Sequence, residues 1–281
     1  MPSHKPNRTK PTGNNRRAKP PKPTRREIKY YGTAACEALW RKRPQDLIRV
    51  YIEESLVGRF SALLKWTAEQ RKAYHIVAAD DLERLTESIH HQGICILALE
   101  PEVMSFATLL KKLEQPSQHQ LLLYLDGVEN PHNLGALVRS CAHFGVRYVL
   151  GAVGRLPALS PSACRVAEGG AEYLNLIHLD QPPSQLQQLR DLGFAVVATR
   201  AQPGKSLYAT ALPRCMVLIL GAEMEGVSSA LLRSADQVIA IPGSGEVESL
   251  NVSVAGAIVM SEFYRQSHLL PQKRIYSKRH H

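Results

Sequence analysis

At 281 residues the chain is long enough for one large or two ordinary domains, and 44% hydrophobic and 21% charged residues give it a core, which excludes a fibrous or wholly disordered protein. The net charge of +10 is concentrated at the ends: residues 1–26 hold nine Lys or Arg and no acid, the last eleven hold four and no acid, and the stretch between has 22 bases against 25 acids. No apolar run reaches the ~18 residues of a membrane span, and no apolar segment follows the basic N-terminus as in a secretory signal.

In chain order, residues 1–26 lack hydrophobic periodicity and are expected to be a disordered basic tail. Residues 32–42 read as a helix, 47–53 as a strand, and 55–72 as one long helix with Leu56, Phe60, Leu63, Leu64 and Thr67 on one side. A strand at 74–78, a helix at 80–89 and a strand at 93–99 complete a first α/β unit, bounded at 27–112. Residues 113–120 (LEQPSQHQ) read as a linker. The apolar run 121–126 (LLLYLD), closed by an acid, reads as a buried parallel strand. Helices at 131–144, 161–167, 183–192 and 251–266 then alternate with strands at 146–150, 174–178, 194–199, 215–220 and 236–241. The expectation is a parallel-sheet α/β domain over 121–268, followed by a basic tail at 269–281.

Five scattered cysteines without a CxxC pair fit reduced thiols in a cytoplasmic protein, not a disulfide framework or a zinc site. Neither GxGxxG nor GxxxxGK[ST] occurs, which argues against a dinucleotide enzyme or a P-loop NTPase. HExxH and GxSxG are also missing, and no metal site is expected. The basic ends point to a polyanion, bound by counterion release with little sequence discrimination.

Three turns in the second unit carry the remaining chemistry. In Asn130-Pro131-His132-Asn133-Leu134-Gly135, helix capping explains Asn130 and Pro131 but not Arg139, a cation on a largely apolar helix. In Leu220-Gly221-Ala222-Glu223-Met224-Glu225-Gly226, an acid directly follows a buried strand, where α/β sheets place binding residues. In the segment from Ile241 to Ala255, Gly243 and Gly245 permit a tight turn, and Ser249 and Asn251 are two polar side chains where a cap needs one.

The motifs NPHNLGALVRSCAHFG (130–145), LILGAEMEGVS (218–228) and IPGSGEVESLNVSVAGA (241–257) resemble, in order, those of the SpoU/TrmH family of RNA 2′-O-methyltransferases in the SPOUT superfamily, YfiF-type members above all. The resemblance covers about residues 28–267. It implies a SPOUT domain with a C-terminal trefoil knot, preceded by a substrate-binding domain like ribosomal protein L30e. It further implies S-adenosylmethionine as methyl donor, tRNA or rRNA as substrate, and a homodimer formed through the SPOUT domain. Carried over by position, Asn133, Arg139, Glu223, Ser249 and Asn251 would be the catalytic set, with Arg139 at the reacting hydroxyl. Thr199, Gly221, Ile241 and Leu250 would hold the cofactor through their backbone. Met224 stands where many members have Gly, and Gly243-Ser244 where many have Met and a small residue, departures that bear on the cofactor loop. The competing readings are a non-catalytic RNA-binding protein with a relict SPOUT domain and a SPOUT enzyme that methylates a base.

Overall fold

The computed structural model describes residues 25–114, 119–201 and 204–269. The expected tails therefore lie almost wholly outside the described residues, as does the middle of the expected linker.

The first unit contains β1 (Glu27–Tyr31), α1 (Thr33–Lys42), β2 (Leu47–Ile52), α2 (Ser61–Glu69), β3 (Ala73–Ile76), α3 (Ala79–Thr86) and β4 (Ile94–Leu99). Its sheet runs β1-β4-β2-β3, with β4 antiparallel to β1 and β2 and β3 parallel to β2. Alternation sets the two faces. Val50, Ile52, Ile94, Ile96 and Ala98 pack with Cys36 and Leu39 of α1 and Leu63 and Leu64 of α2, while Tyr31 and Cys95 meet Leu82 of α3 on the other side.

The long helix expected over 55–72 is broken. Residues 54–56 form a 3-10 turn, and α2 starts only at Ser61. Gly58 lies in the gap and is a poor helix former. Even so, Phe60, Leu63, Leu64 and Thr67 are buried together. β1 was not legible beforehand, because EIKYY alternates weakly and gains its strand from five-residue pairing with β4.

The second unit contains α4 (Phe106–Leu113), β5 (Gln120–Asp126), α5 (Pro131–His143), β6 (Tyr148–Ala152), α6 (Pro161–Val166), β7 (Asn175–Leu179), α7 (Pro182–Asp191), β8 (Ala195–Thr199), β9 (Lys205–Ser206), β10 (Cys215–Gly221), α8 (Ser229–Ser234), β11 (Gln237–Ala240) and α9 (Val252–Tyr264). All seven strands are parallel, in the order β7-β6-β5-β10-β8-β11-β9. Helices cover both faces, as a fully parallel sheet requires. α5 and α9 close one face with Leu134, Leu137, Val138, Val259 and Met260; α7, α8 and α4 close the other with Leu186, Leu189 and Leu231 among their contacts.

α4 corrects the boundary expected at residue 112. Its Phe106, Leu109 and Leu113 are buried against Leu122, Tyr124, Ile177 and Leu179, so this helix belongs to the second core. Four cysteines are buried and Cys215 is half-buried, none of them in a disulfide; burial pushes Cys141 and Cys164 up to about 12.

The two units share one apolar cluster and a polar clamp. Arg43, at the end of α1, donates from Nε and Nη2 to both carboxylate oxygens of Glu172 (2.7 and 2.9 Å), in the 3-10 turn Gly170–Tyr173 of the second unit. Nη1 donates to Asp46 Oδ2 (2.8 Å) and to the Leu99 carbonyl (2.9 Å), and Nη2 also donates to Tyr30 Oη (3.2 Å). Arg25 grips both oxygens of the same Asp46 at 2.9 and 2.7 Å. Burial disfavours the Arg43 charge, yet the hydrogen bonds to Glu172 carry its pKa above the ordinary guanidinium value. Burial likewise works against the Asp46 carboxylate, and the bonds from Arg25 and Arg43 outweigh it, holding its pKa low. Backbone contact seals the joint: Gly169 sits at φ 82°, where a Cβ would stand 2.7 Å from Ala38 Cβ and 2.9 Å from the Ala34 carbonyl.

Arg43→Ala leaves Glu172, whose side chain is only 3% exposed, buried without its cation. The expected cost is about 3–5 kcal/mol, read as a lower urea unfolding midpoint; an unchanged midpoint would contradict the clamp.

Candidate active site

The sheet order reverses beside β5: β6 and β7 extend one way, and the chain returns to lay β8 beyond β10 on the other. In open α/β sheets, ligands bind at such a reversal, outside the carboxyl ends of the strands. Three loops leave those ends here: 127–130 after β5, 222–228 after β10 and 241–251 after β11.

The first loop enters α5 through a built cap. Asn130 Oδ1 accepts from the backbone N–H groups of His132 (2.9 Å) and Asn133 (3.4 Å), with Pro131 in the first turn. Asn133 is therefore held in the first turn of α5, buried, with its side-chain oxygen turned to the third loop. There Asn251 caps α9, its Oδ1 accepting from the N–H groups of Ser253 (2.9 Å) and Val254 (3.4 Å). Its Nδ2 donates both to Asn133 Oδ1 (2.9 Å) and to Glu223 Oε1 (2.6 Å). A carboxylate only accepts, so this network fixes which way the Asn251 amide faces. One carboxamide thus ties all three loops together and places a negative charge near the N-termini of α5 and α9, where helix dipoles favour it.

Backbone contact shapes the middle loop. A Cβ on Gly221 would lie 2.0 Å from the Gly226 carbonyl carbon, so only glycine lets the loop fold back there. Gly226 N–H donates to the Ala222 carbonyl (2.8 Å). Asp126, at the end of β5, holds both ends of this loop: its carbonyl accepts from Ala222 N–H (3.0 Å) and its Oδ2 from Ser228 N–H (2.8 Å). In the sequence Asp126 shows only as the close of the LLLYLD strand; its hold on the loop after β10 reaches Ser228, 102 positions away, and leaves no local pattern.

The structure gathers Asn133, Glu223 and Asn251 but not Arg139 or Ser249. Six residues place Arg139 about 9 Å along α5 and about 120° round it from Asn133. It is exposed, and its side chain makes no hydrogen bond or ion pair among the described residues. Ser249 is exposed on the third loop. Of the four positions expected at the cofactor, Thr199, Gly221 and Ile241 stand at the carboxyl ends of β8, β10 and β11, and Leu250 immediately precedes Asn251. Thr199 Oγ1 donates to the Ile219 carbonyl (3.0 Å), so its hydroxyl joins two strand ends.

The model of the SpoU rRNA Methylase family matches residues 120–261, and the model described as RNA 2'-O ribose methyltransferase substrate binding matches residues 30–104. The chain belongs to the SpoU methylase family, with the substrate-binding unit first and the methylase unit second, as the motifs led one to expect. It is 39% identical over 243 residues to the protein of Escherichia coli O157:H7 named "Uncharacterized tRNA/rRNA methyltransferase YfiF", covering 86% of this chain and 69% of that one. It is 33% identical over 237 residues to the 23S rRNA (guanosine-2'-O-)-methyltransferase RlmB of Bordetella pertussis, covering 84% of this chain and 96% of that one. The fold matches the SpoU methyltransferase AviRb of Streptomyces viridochromogenes, solved in complex with AdoMet, at a TM-score of 0.69 and 18% identity over 85% of this chain and 90% of that one.

Asn251→Ala removes a helix cap and the bridge between loops, and is expected to cost about 0.5–2 kcal/mol. Ser249→Ala should stay within about 0.5 kcal/mol of the parent. Urea unfolding of the two variants side by side checks the difference; equal costs would mean that Asn251 does not organise the loops.

Proposed function

We propose that the chain transfers a methyl group from S-adenosylmethionine to a ribose 2′-OH of tRNA or rRNA, as a cytoplasmic homodimer with a knotted C-terminal segment. The observation that carries this reading is the Asn251 carboxamide, which joins a residue from each of the three family motifs at the carboxyl end of the sheet. The names of the relatives support the reaction, and that of the RlmB relative points to rRNA. The knot is supported by β10 lying between β5 and β8, and by the loop after β11 returning to Asn133 and Glu223.

The third loop fits the cofactor. Among the described residues, 242–250 make no backbone–backbone hydrogen bond, and only the Glu246 N–H is taken by a side chain, Ser244 Oγ (3.3 Å), which leaves the other N–H and carbonyl groups for a ligand. Leu250 in this loop and Met224 in the loop after β10 expose apolar side chains, 45% and 98% respectively. Backbone groups at Thr199, Gly221, Ile241 and Leu250 would hold the cofactor, which supplies a methyl already activated on a sulfonium.

The chain's own residues align and charge the hydroxyl. A guanidinium stays protonated in almost any protein setting, so Arg139 would act by stabilising the developing 2′-oxyanion and lowering the hydroxyl's pKa. Asn133, Glu223 and Asn251 would hold the loops in register, and Ser249 would donate to the ribose from the exposed loop. Fixing the ribose in line with the methyl would supply much of the remaining rate.

The homodimer reading rests on the open groove between α5 and α9, lined by Phe144, Tyr208, Val254, Ala257 and Ile258. Val254 is 48% exposed on a helix that is otherwise deeply apolar. Ser140 and Ser253 also line the groove, so a partner seated there would border both Arg139 and Asn251.

Labelled methyl transfer to total RNA, followed by digestion to nucleosides, tests the reaction. The protein should yield a 2′-O-methyl nucleoside, and Arg139→Ala should lose about 10²-fold or more in turnover with RNA binding retained. Full turnover by Arg139→Ala would remove that residue from the mechanism, and failure to bind S-adenosylmethionine would return the relict reading. Light scattering should give twice the 31.2 kDa chain mass, and Val254→Asp should halve it.

A further inference from the structure

We propose that the joint between the two units is itself a phosphate-binding site for the RNA backbone, built from Lys42 of the first unit and Arg147 of the second around the ring of Tyr173. The inference rests on the RNA-methylating reading above and adds a place where the substrate is held.

Lys42 Nζ lies 4.4 Å from the centroid of the Tyr173 ring and Arg147 Cζ lies 6.0 Å from it. Arg147 Nη1 also donates to the Tyr173 carbonyl (3.2 Å), which fixes it at the joint. Both cations are exposed, and among the described residues neither forms an ion pair; nor does Arg41, exposed beside Lys42. Two like charges converging on one ring repel each other, and a carboxylate would ordinarily answer them. The carboxylate next in sequence, Glu172, spends both oxygens on Arg43 and is 3% exposed. The joint therefore presents uncompensated positive charge to solvent around an aromatic face. Such a combination suits a nucleic-acid backbone: the cations take phosphate without reading sequence, and the ring they share holds them in place.

Its position suits the reaction. Tyr173 ends the 3-10 turn that begins at Gly170, and a Cβ on Gly170 would stand 3.1 Å from the Cα of Arg139. At roughly 2 Å of rise per residue the Tyr173 backbone lies about 6 Å along the turn from that contact. A phosphate held at the joint and a ribose offered to Arg139 thus belong to one short stretch of RNA. Because the Arg43–Glu172 clamp locks the units together, the two cations arrive as a preset pair.

The test measures binding of the full-length protein to a fluorescein-labelled RNA hairpin across a salt series. Lys42→Gln and Arg147→Gln should each weaken binding and flatten the slope of log K against log salt by about 0.7–0.9, and the double variant by about twice that. Lys42→Arg should restore the slope, because charge and not shape is what the phosphate needs. S-adenosylmethionine binding by calorimetry and the unfolding midpoint should not move. Lys111→Gln with Lys112→Gln, on α4 across the sheet, should leave the slope unchanged. Slopes for Lys42→Gln and Arg147→Gln equal to the parent's would overturn the proposal while leaving the RNA reading intact. A parent protein that does not bind the hairpin would overturn both. Loss of inorganic phosphate binding in these variants with an unchanged RNA slope would mean a free-anion site, and would overturn the assignment to RNA.

Discussion

The five N–H donors of one guanidinium hold this molecule together. Arg43 sits at the end of α1 with every donor engaged: two on Glu172, and the others on Asp46, the Leu99 carbonyl and Tyr30. A partly buried arginine is tolerated only when its donors are matched, and the rigid fork of the side chain makes that matching directional. The partners come from β1, from the turn before β2, from the end of β4 and from the second unit. The clamp therefore orients the first sheet and docks it in one step. Gly169 lets the helices approach closely enough for the fork to reach.

The site obeys the same economy with an amide in place of a guanidinium. Asn251 uses its oxygen on the N-terminus of α9 and its nitrogen on Asn133 and Glu223. Two helix N-termini and one carboxylate are thereby brought to a common point above the strand ends. What this assembly leaves free is informative. The Arg139 side chain keeps all of its donors, and the loop at 242–250 keeps its backbone groups apart from the Glu246 N–H, so unsatisfied capacity gathers around these loops and α5.

Much of this was legible in the sequence, because local rules decide it. The run LLLYLD, the Asn-Pro entry of α5 and the Gly-rich turns after strands each carry their structural reason within a few residues. The pieces that escaped depend on distant partners. α4 has apolar residues at 106, 109 and 113, yet nothing local says that they bury against the second sheet and not the first. The pair Arg43 and Glu172 is separated by 129 positions and leaves no spacing pattern. The helix expected over 55–72 failed at Gly58, where weak propensity outweighed a sound apolar stripe. The motif positions placed Asn133, Glu223 and Asn251 in one site, and they do meet. Arg139 and Ser249 belong to the same motifs but are exposed and outside the Asn133–Asn251–Glu223 hydrogen-bond network, through helix phase in one case and loop position in the other.

Gly169 and Glu172 have a consequence for modularity. The chain looks like two exchangeable parts, one for RNA and one for chemistry. Yet the second part carries a buried carboxylate whose countercharge lies on the first, and a glycine shaped to the first part's helix. A chimera with a foreign substrate-binding unit would inherit an unpaired charge and a mismatched seam. In this chain, a change of RNA target by unit exchange would require the acceptor face at 169–173 to travel with the donor.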